Sequence, residues 1–569
     1  MLLEELIQVA RGEVEADLLL KNARVVNVFS GEIHDADVAI HETRIVGFGA
    51  YRARQVIDLH GQFLSPGFID GHVHIESAML RVSEFARVVV PHGTTTVVCD
   101  PHEISNVLGL DGIRYILESS KYTPFSVYVM LPSCVPSTDM ETAGSRLMAE
   151  DLQGMLGNEW VLGLGEMMNY PGVIFRQEDV LQKIKTARNK PIDGHAPGLT
   201  GRDLNAYVAA GILSDHECTN VEEAREKLRL GMHIMVREGT TARDLEPLLP
   251  LITAQNAHQC MFVTDDRHLS DLLNEGHVDF VVRKAVRLGL DPVTAIQMAT
   301  LNAARYFGLK DKGGIGPGMQ ADLVVLDNLH DLNARMVFRA GALVAMEGEL
   351  TPQKQKPKDV PLRSSMNINW RRARDLRVPT AGTAMRVIGV LPDQIVTEHL
   401  MEAPTVDGDL ALADTERDIL KIAVIERHLA SGNVGIGFVK GLGLQRGAIA
   451  SSVAHDSHNL VVVGANDADM LMAARHVEQM RGGLAAVEGG RLLASLPLPV
   501  AGLLSDRPFE EVNHGLSELL AAARELGSGL HDPFMVLSFL ALPVIPALKL
   551  TDRGLVDVIQ FRFVPLFEP

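Results

Sequence analysis

Eight short apolar runs, separated by helical stretches, fill the middle of the chain. Successive runs begin roughly 20 to 35 residues apart, and amphipathic segments such as residues 178–189 lie between them. Strands that alternate with helices predict a parallel sheet, and eight such units predict a closed (β/α)8 barrel, with an open doubly wound sheet as the alternative. The runs cover residues 63–70, 94–100, 126–132, 161–166, 191–195, 212–217, 233–238 and 261–266.

Segments rich in β-branched residues stand on both sides of the predicted barrel. Residues 24–49 alternate short apolar runs with Gly, Asn and Asp, and a similar pattern returns at residues 320–329 and 334–348, which is typical of antiparallel strands. The barrel rhythm stops near Val360 of the 569-residue chain. The expected domains are an N-terminal helix with the first part of a small β-sandwich (1–62), the barrel (63–314), the second part of the β-sandwich (315–362) and a C-terminal α+β domain (363–569).

Nearly every apolar run ends in an ionisable side chain. In a (β/α)8 barrel the carboxyl ends of the strands meet at one mouth, where catalytic groups lie. The predicted mouth therefore collects imidazoles and carboxylates from separate strands, which are Asp70, His72, His74, Asp100, Glu166, His195, His216, Glu238 and Asp265.

Two histidines close the first run. His72 and His74 are two positions apart on an extended segment, so both side chains leave the chain on the same side and can reach one metal ion. Such a pair alone is more often a surface or capping feature, but His195, His216 and Asp265 are expected at the same mouth. Clustered ionisable groups are costly to bury unless a cation compensates, so the pattern predicts a metal site.

The composition of the chain limits the kinds of partner and the cellular compartment that we expect for it. The formal net charge of −19 opposes binding to a nucleic-acid backbone, which requires clustered Lys and Arg. Four cysteines without a CxxC spacing favour a reducing, cytoplasmic compartment over a disulfide framework. No uncharged apolar stretch reaches the roughly 18 residues that a bilayer requires. We therefore expect a cytoplasmic protein without a nucleic-acid or membrane partner, and we expect it to form a homodimer.

The order of these residues resembles the amidohydrolase superfamily of metal-dependent hydrolases. That pattern has two histidines after the first strand, one after the fifth, one after the sixth and an aspartate after the eighth. Within the superfamily, "PGFIDGHVHIESAM", "GLGEMMNYPGV", "SDHECT", "VTDDRHLSDLLNEGHVD" and "AHDSHNLVVVGAND" are similar to the adenine deaminase family over nearly the whole chain. The resemblance implies a (β/α)8 barrel with a small β-sandwich, which agrees with the periodicity.

The resemblance also implies a ligand set for two divalent ions, expected to be manganese or iron, with zinc possible. Many superfamily members bridge their two metals with a carboxylated lysine after the fourth strand, whereas this chain has Glu166 there, and its two carboxylate oxygens could do the same. One metal would be held by His72, His74, Glu166 and Asp265, and the other by Glu166, His195 and His216.

The implied reaction is the hydrolytic deamination of adenine, a purine base, to hypoxanthine and ammonia, as in purine salvage. Hydroxide held by the metals adds to C6, and Asp265 acts first as general base and then as general acid. Protonation of the purine ring needs a further group, for which Asp100, His102 and Glu103 are candidates against a loop-capping role.

Other ionisable residues have weaker predicted roles. Asp70 and Glu76 are expected to orient the ligands, while Glu217 and Glu238 are weaker candidates for substrate contact. Two histidines of the predicted C-terminal domain either reach the site or serve a structural purpose, and these are His455 and His458.

Two alternatives to this function stay open. Another binuclear amidohydrolase, acting on a cyclic amide or an N-acyl substrate, would share the metals and differ in its pocket. A metal-free scaffold barrel is disfavoured because it would be expected to have lost ligands, and all six are present. A cytidine-deaminase-like zinc site is excluded, since His74 to Glu76 spell HxE but no PCxxC follows.

Overall fold

The computed structural model describes residues 2–353, 360–392 and 394–568. Its centre is a barrel of eight parallel strands, numbered here from one to eight in chain order. All eight predicted runs overlap one of these strands, and every strand is almost completely buried, as expected for parallel strands covered on both faces. The barrel strands are Phe68–Val73, Thr94–Cys99, Ser126–Leu131, Val161–Met167, Ile192–Gly194, Ser214–Asp215, His233–Arg237 and Cys260–Val263.

Hydrogen bonds close the barrel. Strands one to five pair in order, and strands six to eight pair in order. Between strands five and six, the backbone nitrogen of Leu213 donates to the carbonyl of Ile192 at 3.3 Å. Between strands eight and one, the nitrogen of Asp265 donates to the carbonyl of His72 at 2.9 Å. The closed (β/α)8 prediction is therefore confirmed, and the open sheet is wrong.

Helices surround the barrel strands. The predicted amphipathic segment at residues 178–189 forms the helix Glu178–Ala187, which buries Val180 and Ile184 and exposes Glu178 and Lys185. The helices of this region are Val82–Val89, His102–Leu108, Leu110–Ser119, Ala149–Gln153, Tyr170–Ile174, Glu178–Ala187, Gly201–Ala209, Val221–Arg229, Leu245–Leu248, Leu269–Asn274, Val278–Arg287, Pro292–Met298 and Leu301–Tyr306.

A nine-stranded sheet joins the segments on either side of the barrel, after a short helix at Leu3–Ala10. The first predicted run is divided at Gly67, because Phe63–Pro66 belongs to this sheet and not to the barrel. Leu64 pairs with Val325 in antiparallel register, so the two halves of the sheet are continuous. Its strands are Ala16–Asn27, Glu32–His41, Arg44–Phe48, Ala53–Asp58, Phe63–Pro66, Leu323–Leu326, Ala334–Arg339, Ala342–Met346 and Glu349–Leu350.

The C-terminal region is built on a second nine-stranded sheet with helices on both faces. Along Gly483–Glu488, Leu484 packs in the same cluster as Leu519 of one helix, while Ala485 packs in the cluster of Met470 from another. This alternation follows from the two-residue period of a strand. The helices are Trp370–Ala373, Asp467–Gln479, Phe509–Glu525 and Pro533–Phe539.

The strands of the C-terminal sheet are Ala384–Val390, Thr397–Glu402, Ile419–Ile425, Val434–Lys440, Ala448–Ser451, Leu460–Gly464, Gly483–Glu488, Arg491–Pro497 and Phe567–Glu568. Two three-stranded sheets complete the region, with strands Val378–Pro379, Thr405–Asp407, Leu410–Leu412, Leu548–Thr551, Gly554–Asp557 and Arg562–Phe563.

This C-terminal region contacts the mouth of the barrel. Asn459 donates from Nδ2 to the carbonyl of Thr142 at 2.9 Å, and Glu103 of the barrel binds two C-terminal histidines. In the described part of the chain, every helix is too short or too polar to span a membrane.

Candidate metal centre

All six predicted metal ligands meet at the carboxyl ends of the barrel strands. Five of them are buried, and the side chain of His195 is 22% exposed. The first pair differs slightly from the prediction, because His72 lies inside strand one and only His74 follows it. Both rings nevertheless point to the same centre, as two positions on one face of an extended segment should.

Glu166, in strand four, stands at the middle of the cluster. Its Oε1 lies 3.4 Å from Nε2 of His74 and 4.0 Å from Nε2 of His72. Its Oε2 lies 2.6 Å from Nδ1 of His195 and 3.4 Å from Nε2 of His216. Each carboxylate oxygen therefore faces a different pair of imidazoles.

Asp265 completes one side of the cluster. Its Oδ1 is 3.3 Å from Nε2 of His72 and 3.1 Å from Nε2 of His74. Its Oδ2 accepts a hydrogen bond from Arg237 at 3.0 Å. The backbone of Asp265 has φ +58°, a left-handed conformation that Asp adopts more readily than most residues.

The donor set fits divalent metal ions. Two ligand atoms bound to one ion at about 2.1 Å each lie roughly 3 to 3.5 Å apart, which matches most of these separations. Two of the buried atoms, Nε2 of His72 and Oε1 of Glu166, have no hydrogen-bond partner. Three groups have all their ligand atoms within 4.8 Å of one another, and these are His72 with His74 and Glu166, His72 with His216 and Asp265, and Glu166 with His195 and His216.

The electrostatics of the cluster agree with this assignment. Burial raises the pKa of Glu166, but the imidazoles beside its carboxylate, led by His102, hold the pKa well below its ordinary value. Burial lowers the pKa of His74, yet the adjacent carboxylates of Asp265 and Glu166 hold that pKa well above its ordinary value. Ionised carboxylates that share protons with buried imidazoles are groups from which a bound cation displaces the protons.

Asp100 lies behind the cluster and orients two of its members, Glu166 and His74. Asp100 is completely buried and accepts a hydrogen bond from the backbone nitrogen of Glu166, while its own carbonyl lies 2.9 Å from Nδ1 of His74. That contact leaves Nε2 of His74 free to face the centre. A Cβ on Gly165 would lie 1.9 Å from Oδ2 of Asp100, so only glycine fits between them.

The other two ring-protonation candidates lie closer to the open space. Nδ1 of His102 is 3.2 Å from Oε1 of Glu166, and Nε2 of His102 is 3.4 Å from Oε1 of Glu103. Glu103 in turn binds both C-terminal histidines: Nδ1 of His455 lies 2.5 Å from Oε1, and Nε2 of His458 contacts Oε2. The two C-terminal histidines thus reach the site through Glu103.

The carboxylates predicted to have weaker roles, Asp70, Glu76 and Glu238, lie in different surroundings. Asp70 lies 3.2 Å from the backbone nitrogen of His72 and 3.0 Å from the ring of His277, which is the orienting position expected of it. Burial raises the pKa of Glu76 to about 7, and this residue lies near the helix that carries Glu103. Glu238 pairs with Lys284 at 2.5 Å and takes no part in the cluster.

Arg237, at the end of strand seven, is the site residue that the sequence analysis missed. It binds both Glu217 and Asp265, and its Nε lies 3.1 Å from Asp244. A basic residue within "HIMVRE" gave no sign of these partners, since they come from other strands. The weaker candidate Glu217 lies beside the cluster, with Oε1 3.5 Å from Nε2 of His216.

A cavity of about 660 Å³ opens over the cluster. The barrel lines it with five of the six cluster residues, all but His72, and His102 and Glu103 also belong to the lining whereas Asp100 does not. The C-terminal region lines it with mainly apolar side chains, namely Ile395, Val396, Phe539, Leu542, Val544 and Ile545.

A barrel with four imidazoles and two carboxylates at the carboxyl ends of its strands defines a metal-dependent hydrolase, and the model of the amidohydrolase family matches residues 63–346. The model described as the adenine deaminase C-terminal domain matches residues 394–562. The chain belongs to the adenine deaminase family of enzymes, as its similarity to curated relatives over its full length shows.

Three of these relatives illustrate the similarity. The adenine deaminase of Desulfatibacillum aliphaticivorans is 51% identical over 100% of both chains, and that of Methanothrix thermoacetophila is 52% identical over 100% of both chains. The adenine deaminase of Dehalococcoides mccartyi (strain ATCC BAA-2266) is 52% identical over 99% of both chains. Among solved structures, dihydropyrimidinase from Brevibacillus agri NCHU1002 aligns with 60% of this chain and 99% of its own, at 17% identity and a TM-score of 0.46.

Proposed function

We propose that this enzyme hydrolyses adenine to hypoxanthine and ammonia with two divalent metal ions. The observation that carries the proposal is the position of Glu166, whose two carboxylate oxygens face separate pairs of imidazoles. A carboxylate in that position can bridge two cations without modification of a lysine. The substrate, adenine, is taken from the names of the relatives, and the match to the adenine deaminase C-terminal domain supports the same substrate.

The proposed ligand set is the one that the resemblance implies. His72, His74, Glu166 and Asp265 would hold one ion, and Glu166, His195 and His216 the other. Bound divalent ions would supply Lewis acidity and would lower the pKa of water, so that a nucleophile exists at neutral pH. Manganese or iron is proposed, with zinc possible, because imidazole and carboxylate ligands suit all three.

Asp265 is the proposed proton carrier. In the overall reaction the oxygen of water bonds to C6 and the bond from C6 to the amino nitrogen breaks. One water proton ends on the departing ammonia and the other on the ring nitrogen N1. Asp265 accepts the first proton and passes it to the amino group. Arg237 holds its Oδ2, which fixes the direction of the carboxylate.

Ring protonation is proposed to come from His102 with Glu103. Both line the cavity, whereas Asp100 lies behind Glu166 and serves to orient it. Burial lowers the pKa of His102, but the neighbouring acidic groups, among them Glu103, hold that pKa well above its ordinary value. An imidazole that keeps its proton beside the cavity can donate it to N1 as negative charge develops there, and the second proton of the water then replaces the one that His102 has donated.

The decisive experiment measures ammonia release from adenine by the purified enzyme loaded with manganese, iron or zinc. Hydantoin and dihydropyrimidine substrates, assayed in parallel, test the alternative of a cyclic-amide hydrolase. Release of ammonia from adenine with no ring opening of the amides is expected. Absence of ammonia from metal-loaded enzyme, with turnover of a cyclic amide, would replace the proposal by that alternative.

The proposed setting of this enzyme is cytoplasmic purine salvage by a homodimer that has no nucleic-acid or membrane partner. Analytical ultracentrifugation of the metal-loaded protein tests the assembly, with a single species of twice the chain mass as the expected result. A single species of monomer mass would contradict it.

A further inference from the structure

Most of the C-terminal side of the cavity is an apolar wall, beside which Gln394, His455 and Asp456 are the polar lining residues. Phe539 and Leu542 pack with Ile395, Val544 and Ile545 in one hydrophobic cluster, and all five side chains also line the cavity. The wall therefore comes from separate segments of the chain: the loop at residues 394–396, the end of the helix Pro533–Phe539 with the residues after it, and the loop at 544–546. None of these segments belongs to the barrel.

A buried lysine ties two of these segments together. The Nζ atom of Lys549 lies 2.9 Å from the carbonyl oxygen of Ile395 and 2.9 Å from that of Phe539. Lys549 is 0% exposed, and no carboxylate of the described residues forms an ion pair with it. Burial lowers the pKa of Lys549 to about 7. Burying an amine with no counter-ion is costly, so its two carbonyl contacts are its main compensation.

The third segment is joined to the first by the backbone. The nitrogen of Thr397 donates to the carbonyl of Pro546 at 2.9 Å, and the nitrogen of Ala547 donates to the carbonyl of Thr397 at 3.0 Å. Lys549 follows two residues later on the strand Leu548–Thr551. Hydrogen bonds behind the wall thus join its three segments, and the Nζ atom of Lys549 lies at the centre of these bonds.

A planar, weakly polar substrate needs such a wall. The barrel side of the cavity offers charged groups that act on C6 and N1, whereas a purine ring also has two apolar faces to bury. We propose that the apolar wall contacts the purine ring and that Lys549 is the positioning residue that holds the wall in place. This inference rests on the proposed function, because it assigns the part of the site that binds the adenine ring.

The test compares Lys549→Met with Lys421→Met in the full-length, metal-loaded enzyme. Lys421 is the control, because it is also buried in the C-terminal region and donates to the carbonyl of Leu376 at 3.1 Å. It differs from Lys549 in that it also pairs with Asp467 at 2.6 Å, and neither Lys421 nor these two partners line the cavity. For Lys549→Met we expect KM for adenine to rise about tenfold while kcat changes less than about threefold, since the loss lies in ring binding. Lys421→Met should leave KM unchanged.

A second readout does not depend on turnover. Hydrogen–deuterium exchange of the metal-loaded proteins without substrate should be faster at residues 536–548 in Lys549→Met than in wild type or Lys421→Met. If the wild-type enzyme released no ammonia from adenine, the proposed function would fail, and exchange alone would decide whether Lys549 holds the wall.

Two outcomes overturn the inference while the proposed function stands. One is an active wild-type enzyme with an unchanged KM in Lys549→Met. The other is a fall in kcat at constant KM. If Lys549→Met does not fold, Leu542→Ala replaces it. That substitution removes apolar surface from the wall and leaves the hydrogen bonds of Lys549 in place. Its KM should rise, and an unchanged KM would again reject the wall as a substrate contact.

Discussion

Oδ2 of Asp100 lies 3.0 Å from the backbone nitrogen of Glu166, the residue whose side chain stands at the middle of the candidate metal centre. The adjoining Gly165 has no side chain, and a Cβ there would meet the same oxygen at 1.9 Å. The carboxylate of Asp100, which is not one of the proposed ligands, therefore fixes the position of Glu166 in strand four.

We expect Asp100→Ala to weaken metal binding about 10- to 100-fold, because an orienting partner of a ligand is lost. Gly165→Ala should have a similar effect, since its methyl group displaces Asp100. Metal titration of the two single variants and the double variant checks this. The double variant should be no worse than Asp100→Ala, because the three heavy atoms nearest to the added Cβ all belong to Asp100; additive losses would contradict the geometry.

Replacement of Asp265 by Asn should lower kcat at least about 100-fold, because the amide cannot accept the proton from water. Asn also tolerates the left-handed backbone at this position, so the fold should be retained. Steady-state kinetics with metal analysis checks the expectation. Near-normal kcat in a fully loaded variant would remove Asp265 from proton transfer.

Removal of the metals by a chelator should abolish ammonia release and lower the melting temperature, because ligands that bind only the native state stabilise it. Reloading should restore activity at two equivalents per chain. His195→Asn should bind closer to one equivalent, since the other group of ligands is intact. Full activity of a verified metal-free enzyme would contradict the assignment.

Glu103→Gln should destabilise the enzyme by about 1 to 3 kcal/mol, because its amide nitrogen leaves one of two buried imidazoles without an acceptor. Glu510→Gln is the control. Glu510 also joins the two regions, through Arg87 at 2.6 Å, but that pair is exposed and should contribute less than about 1 kcal/mol. Urea unfolding measures the loss of unfolding free energy in both variants. Equal losses would show that the buried contact of Glu103 stabilises the enzyme no more than the exposed pair does.

Acid stability should depend on Asp279. Burial raises its pKa, but His92, Arg283 and the backbone nitrogen of His277 together lower it from 3.8 to about 2. A carboxylate with a depressed native pKa stabilises the fold above its unfolded pKa, and this contribution is lost as pH falls toward its native pKa.

Between pH 6 and pH 3 the wild-type protein should therefore lose about 1 kcal/mol more unfolding free energy than Asp279→Asn. Urea unfolding of the metal-free proteins at both pH values checks this. The metal-free form avoids a contribution from metal release as pH falls, and protonation of the cluster residues is common to both proteins and cancels in their difference. Parallel pH profiles for the two proteins would reject the assigned cause.

The barrel was predictable because its strands are buried on both faces and therefore stand out as apolar runs. The division of the first run was not. Phe63–Pro66 pairs with Leu323–Leu326, and nothing local distinguishes a strand of one sheet from a strand of the next. The position of Gly67 is the one hint, since a Cβ there would lie 2.3 Å from Oγ1 of Thr95.

The cluster of proposed metal ligands was predictable because each member lies at or just beyond the carboxyl end of a strand. Arg237 was not, since its partners Glu217 and Asp265 come from neighbouring strands and only the closed barrel brings them within reach. His455 and His458 lie more than 350 residues beyond Glu103 along the chain. No periodicity connects the two regions, so their contact with the barrel mouth had to come from the structure.

The sheet shared by the two flanks of the barrel also imposes a delay on the growing polypeptide. Leu64 cannot meet Val325 until some 260 further residues have left the ribosome, which at about 5 to 20 residues per second takes roughly 13 to 52 s. During that interval one edge of the strand Phe63–Pro66 has no neighbour. Cells that make this enzyme must therefore keep an early strand from pairing with other nascent chains until its own partner is synthesised.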